Sequence, residues 1–362
     1  MQLLRMRRAT TVGVALAATA VLAAACSSST TTAPSSGGGG STSGNLSGTL
    51  NGSGSTFQLT FQETAISSFK SVQPNMTVNY GGGGSGKGRT DLSSGVVQFA
   101  GSDSPIPSDE QSNFSGKTVL YFPVVIGPIT LSYNLSSLSK PLQLSAPVIA
   151  NIFQGKITNW DNSAIAADNP GVKLPSEPIA IAVRSDSSGT TANFSLFLMT
   201  AVPSVWTLGS SSTIKWPGTA RAGNGNGGVA SIVKSTPGSI GYVDYSDAKG
   251  AGLTYASIKN KDGNYIAPSV QSATAAADGA TIAPDLTFHA VWAPGPQAYP
   301  ITYQSWDLVF EKQSSSNTAK MLQAYIGYLL GPGQQLLPQL NYAPLPASLD
   351  EKAKAQLSKI TG

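Results

Sequence analysis

Arg184-Ser185-Asp186-Ser187-Ser188-Gly189-Thr190 brings a guanidinium, a carboxylate, several hydroxyls and a glycine into one short stretch. A planar cation, hydroxyl donors and close backbone access are the parts of an oxyanion site. For those parts to converge, the stretch must turn from a strand into a helix. Ile179-Ala180-Ile181-Ala182-Val183 has the length and β-branched content of a buried strand, and Thr191 to Met199 has apolar residues at helical spacing. Such a turn leaves backbone N–H groups unpaired at the positive end of a helix dipole. Ser is also a common helix cap, so capping and anion binding are both open to Ser188 at this point.

Similar turns precede it. Ser47 to Asn51 reads as a short strand leading into Gly52-Ser53-Gly54-Ser55-Thr56-Phe57, and Leu59 to Phe69 follows with helical spacing. Met76 to Tyr80 alternates like a strand and runs into Gly81-Gly82-Gly83-Gly84-Ser85-Gly86-Lys87-Gly88-Arg89. Gly81, Gly86 and Lys87 stand at the spacing of a nucleotide-binding P-loop, but Gly88 occupies the position of the magnesium-holding Ser or Thr. A flexible loop and a seat for a smaller anion, with Ser85 as donor, remain. Lys87 either adds field at the mouth of a cleft or is solvated. Gln98 to Pro105 carries Asp103, whose commonest use beside Ser and Pro is a cap or turn. A further turn, Gly223 to Gly228, opens an apolar helix from Val229 to Val233 and offers no side chain with a clear role.

Residues 1–25 have the layout of a secretory signal: Arg5, Arg7 and Arg8 precede an uncharged stretch of small and apolar residues from Val12 to Ala25. Cys26, the only cysteine, follows Ala23-Ala24-Ala25 and resembles the lipidated cysteine of a bacterial lipobox. No intrachain disulfide can form. Ser27 to Gly44 is dominated by Ser, Thr and Gly and reads as a flexible tether. Losing the three leader arginines takes the formal charge from +4 to +1, and with 11% charged residues no broad basic face for nucleic acid is expected. Any bound anion must therefore be held by a local site. The rest of the chain is long enough for two domains with their own cores.

The ordered series Gly52 to Phe57, Asn79-Tyr80 followed by Ser85, Ala100 to Pro105, and Arg184 to Thr190 resembles the phosphate-binding lipoproteins of bacterial high-affinity phosphate ABC transporters. Ile152 to Asp161, Asn169 to Pro175 and Pro237 to Val243 resemble the same family, and the likeness runs from about Ser47 to the C-terminus. The resemblance implies an α/β, two-lobed periplasmic-binding-protein-like fold (type II), with mixed sheets flanked by helices and a ligand cleft between the lobes. It implies residues 47–126 plus 301–362 as lobe I and 127–300 as lobe II, after the leader 1–25 and the tether 26–46. It further implies a monomer that hands inorganic phosphate to an ABC permease, held to the outer face of the cell membrane by its lipid.

Carried over residue by residue, Thr56, Phe57, Ser85 and Asp103 come from one lobe and Arg184, Ser188, Gly189 and Thr190 from the other. Thr56, Ser85, Ser188 and Thr190 would donate hydroxyl bonds, Phe57 and Gly189 backbone N–H, and Arg184 its planar fork. Asp186 would orient Arg184 or face solvent as a turn residue. Asp103 would accept the proton that phosphate keeps near neutral pH and sulfate lacks, so that sulfate meets an unpaired buried carboxylate. A binder of sulfate or molybdate would be expected to lack that acceptor. A phosphoesterase would need a base-activated nucleophile or metals, yet there is one histidine, His289, no G-x-S-x-G elbow and no visible ligand cluster. No catalytic residue, metal or cofactor is expected.

Overall fold

The structure, a computed structural model, describes residues 46–135 and 138–362. The expected leader, Cys26 and the tether up to residue 45 lie outside the described residues. The strands are β1 (Gly48–Gly54), β2 (Met76–Gly81), β3 (Phe99–Ser102), β4 (Val119–Tyr133), β5 (Gln143–Leu144) and β6 (Ala180–Arg184). They continue with β7 (Arg221–Gly223), β8 (Ser239–Asp244), β9 (Thr254–Tyr255), β10 (Ser257–Lys259), β11 (Tyr265–Ile266) and β12 (Thr302–Phe310). The helices are α1 (Leu59–Phe69), α2 (Ser85–Ser93), α3 (Ala146–Phe153), α4 (Ser163–Asp168) and α5 (Gly189–Ala201). After these come α6 (Gly225–Ser235), α7 (Tyr245–Gly250), α8 (Val270–Ala277), α9 (Ser316–Leu330) and α10 (Ala347–Gln356).

The main sheet has the order β2-β1-β3-β12-β4-β8-β6-β7, with β9 added to β4, and β11-β10-β5 form a small second sheet. β1, β2 and β3 run parallel, as do β6, β7 and β8. The antiparallel strands β12 and β4 join the two groups. β4 pairs with β12 as far as Pro128 and with β8 from Ile129 onward. It therefore belongs to both halves, and its nearly unbroken burial is that of a strand covered on both faces. The fold is the two-lobed mixed α/β arrangement expected from the sequence, with α2 against β1 and β3 and α6 against β6, β7 and β8.

In open α/β sheets, ligands bind beyond the carboxyl ends of parallel strands. Here those ends lead to Ser55, Gly82, Asp103, Ser185, Asn224 and Tyr245. Phe57 anchors the first of these turns where β4 and β12 pair. Its ring stacks on Tyr303 at 4.1 Å between centroids and meets the edge of Tyr342 at 5.2 Å, while Tyr342 Oη donates to the Phe57 carbonyl at 2.8 Å. Gly127, opposite Tyr303 in the ladder, makes room, since a Cβ there would sit 3.0 Å from the Phe57 ring.

Candidate functional site

The turn from β6 into α5 forms the cationic wall of the site. Arg184 is the last residue of the strand, and Ser188 is the N-cap of the helix, its Oγ accepting from Thr191 N–H at 3.1 Å. The Ser188 N–H goes to the Ser212 carbonyl, while the N–H groups of Gly189 and Thr190 have no hydrogen-bond partner among the described residues. Tyr242 holds the two elements together. Its hydroxyl accepts from Arg184 N–H at 3.0 Å and bonds Thr191 Oγ1 at 2.7 Å, and its ring stacks on Phe194 at 4.6 Å.

The Arg184 guanidinium is almost fully buried. Nε and one Nη bond the two oxygens of Asp186 at 2.8 and 2.5 Å, and the other Nη donates to Thr190 Oγ1 at 3.2 Å. Of about five N–H donors on a guanidinium, three are thus committed and two remain for an anion. Burial pushes the Asp186 carboxyl up, but Arg184, with help from the Gly225 N–H, holds it below the usual carboxylate range. Burial likewise opposes the charge on Arg184, and Asp186 more than offsets it. Asp186 is therefore the partner that fixes the fork.

The opposite wall comes from β1, β2 and β3. Asp103 follows β3 directly and is buried. Its Oδ1 accepts from Ser55 Oγ and Ser305 Oγ, each at 2.5 Å. Its Oδ2 lies 3.3 Å from Ser85 Oγ, which also accepts the Asp103 N–H at 3.1 Å. Burial pushes the Asp103 carboxyl above its ordinary value, partly offset by Ser305, Ser55, Arg184 and Ser85. Arg89, buried beneath, holds the loop by donating to Ser102 and Ser104 on either side of Asp103 and to Glu110 at 2.6 and 2.8 Å. Lys87 is exposed and pairs with Asp91 one turn along α2.

The two walls touch. A Cβ on Gly189 would fall 2.4 Å from Ser85 Oγ and 2.5 Å from Asp103 Cβ, and one on Gly84 2.3 Å from Asp186 Oδ2. Glycine at both positions is what allows this approach. Gly86 N–H donates to the Ser187 carbonyl at 3.0 Å, and Asn193 Nδ2 to the Asp103 carbonyl at 2.6 Å. Asn226, in the turn whose role the sequence left open, bridges the site from α6. Its backbone N–H and Nδ2 reach Thr56 Oγ1 at 3.3 and 3.2 Å, and Nδ2 reaches Thr190 Oγ1 at 3.4 Å.

All eight candidate ligand residues thus lie on these facing turns, and the hydroxyls share a polarity. Thr56 Oγ1, Ser85 Oγ, Ser188 Oγ and Thr190 Oγ1 each accept from an N–H group. A hydroxyl that accepts in this way can still give its own proton, and that of Ser85 goes to Asp103 Oδ2. The Phe57 N–H is donated to Ser55 Oγ at 3.1 Å. Asp244, a second buried carboxyl at the end of β8, is pushed well above the usual range by burial and then by the charge of Asp247; it caps α7. The site therefore presents donors, one cation and one ionisable acceptor, Asp103.

Two α/β lobes with strand ends facing one another across a donor-lined cleft define a solute-binding protein of the periplasmic type. The PBP superfamily domain matches residues 39–332. Phosphate-binding protein PstS 3 of Mycobacterium leprae is 36% identical over 322 residues, covering 86% of this chain and 87% of that protein. Phosphate-binding protein PstS of Xylella fastidiosa is 35% identical over 283 residues, covering 77% and 76%. The chain belongs to the PstS phosphate-binding protein family of the PBP superfamily. Among solved structures, the high-affinity periplasmic phosphate-binding protein PfluDING, bound with phosphate at pH 8.5, superimposes with a TM-score of 0.71 at 22% identity, covering 85% of this chain and 94% of that one.

Proposed function

We propose that the protein captures inorganic phosphate between its lobes on the extracytoplasmic side and delivers it to an ABC permease for import. The observation that carries this reading is the pairing of hydroxyls on Thr56, Ser85, Ser188 and Thr190, each accepting from an N–H group, and a buried, aimed Arg184 with a single carboxylate acceptor, Asp103. The names of its relatives as phosphate-binding proteins support it. Thr56, Ser188 and Thr190 donate hydroxyl bonds, Gly189 offers its N–H and Arg184 supplies the charge, while Ser85 and Phe57 turn to the anion the O–H and N–H that they give here to Asp103 Oδ2 and Ser55 Oγ. Asp103 accepts the proton of phosphate.

Lobe I is taken as 47–126 plus 301–362 and lobe II as 127–300, with β4 and β12 as the hinge strands. Phosphate bridging both walls stabilises the closed arrangement. The protein acts as a monomer without catalytic activity, and lipidation of Cys26 holds it at the membrane. Sulfate or molybdate binding is the competing reading, and Asp103 speaks against it. Calorimetric titration of protein stripped of bound anion decides: one phosphate bound tightly with sulfate silent is expected, and equal binding of sulfate would defeat the assignment.

A further inference from the structure

Ser305 lies far along the chain from Asp103, yet the sheet sets them opposite one another. β12 pairs antiparallel to β3 with Trp306 facing Ser102, so one step further places Ser305 against Asp103. At this step the ladder between β12 and β4 shifts register, next to Pro123, which has no N–H to contribute. Both oxygen atoms that reach Asp103 Oδ1, from Ser305 and Ser55, belong to residues outside the recognised ligand set.

The direction of each bond follows from the neighbours. Ser55 Oγ accepts the N–H groups of Phe57 and Gln58 at 3.1 and 3.4 Å, so its proton is directed to Oδ1. Ser305 Oγ accepts from Gln58 Nε2 at 2.7 Å. The amide of Gln58 is itself held in place, because Nε2 also donates to the Trp306 carbonyl at 2.9 Å and Oε1 accepts from Gln62 at 2.9 Å. A Ser305 hydroxyl receiving that N–H has two acceptors in reach, the Asp103 carboxylate at 2.5 Å and the Ser102 carbonyl at 3.3 Å, and gives its proton to the nearer, charged one. An oxygen that already accepts two O–H groups has no room for a proton of its own.

We propose that Ser305, together with Ser55, is a positioning residue that aims Asp103: the two hydroxyls close Oδ1 and leave Oδ2 to meet the proton of the bound anion. The inference rests on Asp103 as the phosphate acceptor. It assigns a reason for anion discrimination that Asp103 cannot supply unaided. A carboxyl free to protonate on Oδ1 or to rotate would become a donor, and a donor suits sulfate. Ser305 and Ser55 prevent that by fixing which oxygen is available. Among ionisable groups Arg184 from β6 favours the charge of Asp103, while Tyr80 from β2 and Tyr303 from β12 are held neutral chiefly by burial and also by the charge of Asp103.

The test is calorimetric titration with phosphate and with sulfate at about pH 5.5 and about pH 8.5, because loss of donors to a carboxylate favours its protonation and is felt most in acid. In Ser305→Ala the preference for phosphate over sulfate should fall about tenfold or more at the lower pH, the size of a lost bond to a charged group, and less than about threefold at the higher. Ser305→Thr, which keeps the hydroxyl, should restore it. Ser55→Ala should behave like Ser305→Ala and serves if the latter does not fold. An unchanged preference in both alanine variants, or an equal fall at both pH values, overturns the inference. Asp103→Asn separates the two levels: if it keeps the preference for phosphate, the reading of Asp103 has failed. If it loses the preference while Ser305→Ala and Ser55→Ala retain it, only the role of the serines has failed.

Discussion

The wall built on β6 and α5 and the wall built on β1, β2 and β3 solve different problems with different chemistry. The first buries a full positive charge and steadies it with a carboxylate two residues away, Asp186, at 2.8 and 2.5 Å. The second buries a negative charge with no cation of its own in contact and steadies it with hydroxyls from Ser55, Ser305 and Ser85. The two N–H donors that the guanidinium keeps free attract any anion, because they do not distinguish phosphate from sulfate. A lone carboxylate subtracts from that attraction unless the anion brings a proton. On the proposed function, affinity and selectivity therefore fall to opposite sides, and both require the walls to meet.

The largest effect should come from keeping them apart. Gly189→Val places side-chain atoms where Ser85 Oγ and Asp103 Cβ already stand, at 2.4 and 2.5 Å from a Cβ. Phosphate affinity should fall at least about a hundredfold, since contacts to both walls are lost together, each charge-assisted bond being worth about 1.5–3 kcal/mol. Thermal unfolding should change far less. Wild-type affinity in this variant would mean that the walls need not approach so closely.

A smaller effect should be confined to the β1 side. Asp307 on β12 is buried among Gln62 and Gln58, and burial, less the help of those amides, pushes it up to about 7. The folded protein therefore holds a proton that the unfolded chain releases near the ordinary Asp value of about 3.9. Stability from this group is complete below that value and is lost as pH rises through about 7. Asp307→Asn should flatten the fall in urea stability between about pH 4 and about pH 7. An identical slope in both proteins would show that Asp307 is ionised throughout.

The smallest effect is expected at Asp186. Asp186→Asn loosens the fork of Arg184 but also removes a negative charge from beside the anion, so two changes of opposite sign meet. Phosphate affinity should move by less than about tenfold, while its dependence on ionic strength steepens because Arg184 is no longer neutralised. Titration at low and high salt checks this, and an unaltered salt dependence would separate Asp186 from the charge balance of the site.

How far the sequence disclosed this site depended on distance along the chain. The turns were readable because strand, glycine and hydroxyl run, and helix follow one another locally, and the helix Leu59–Phe69 falls where its spacing placed it. Asp186 was readable for the same reason. Asn226 lay in a turn that stood out, but its partner Thr56 is 170 residues away. Ser305 gave no local signal at all. Its meaning comes from the register of β12 against β3 and from Gln58, none of which is written near residue 305. Ser188 is a helix cap, and because it accepts from Thr191 its own proton is not used by the cap, so capping does not compete with the proposed role in anion binding.

The difference between the walls is tested most directly by Asp103→Asn, titrated with phosphate and sulfate under identical conditions. Asparagine keeps the shape and replaces the acceptor-only carboxylate by a group that can donate. Phosphate should bind more weakly and sulfate measurably, so that the ratio of the two affinities collapses while Arg184 still attracts both. A variant that binds phosphate as before and still ignores sulfate would contradict the division of labour between the walls.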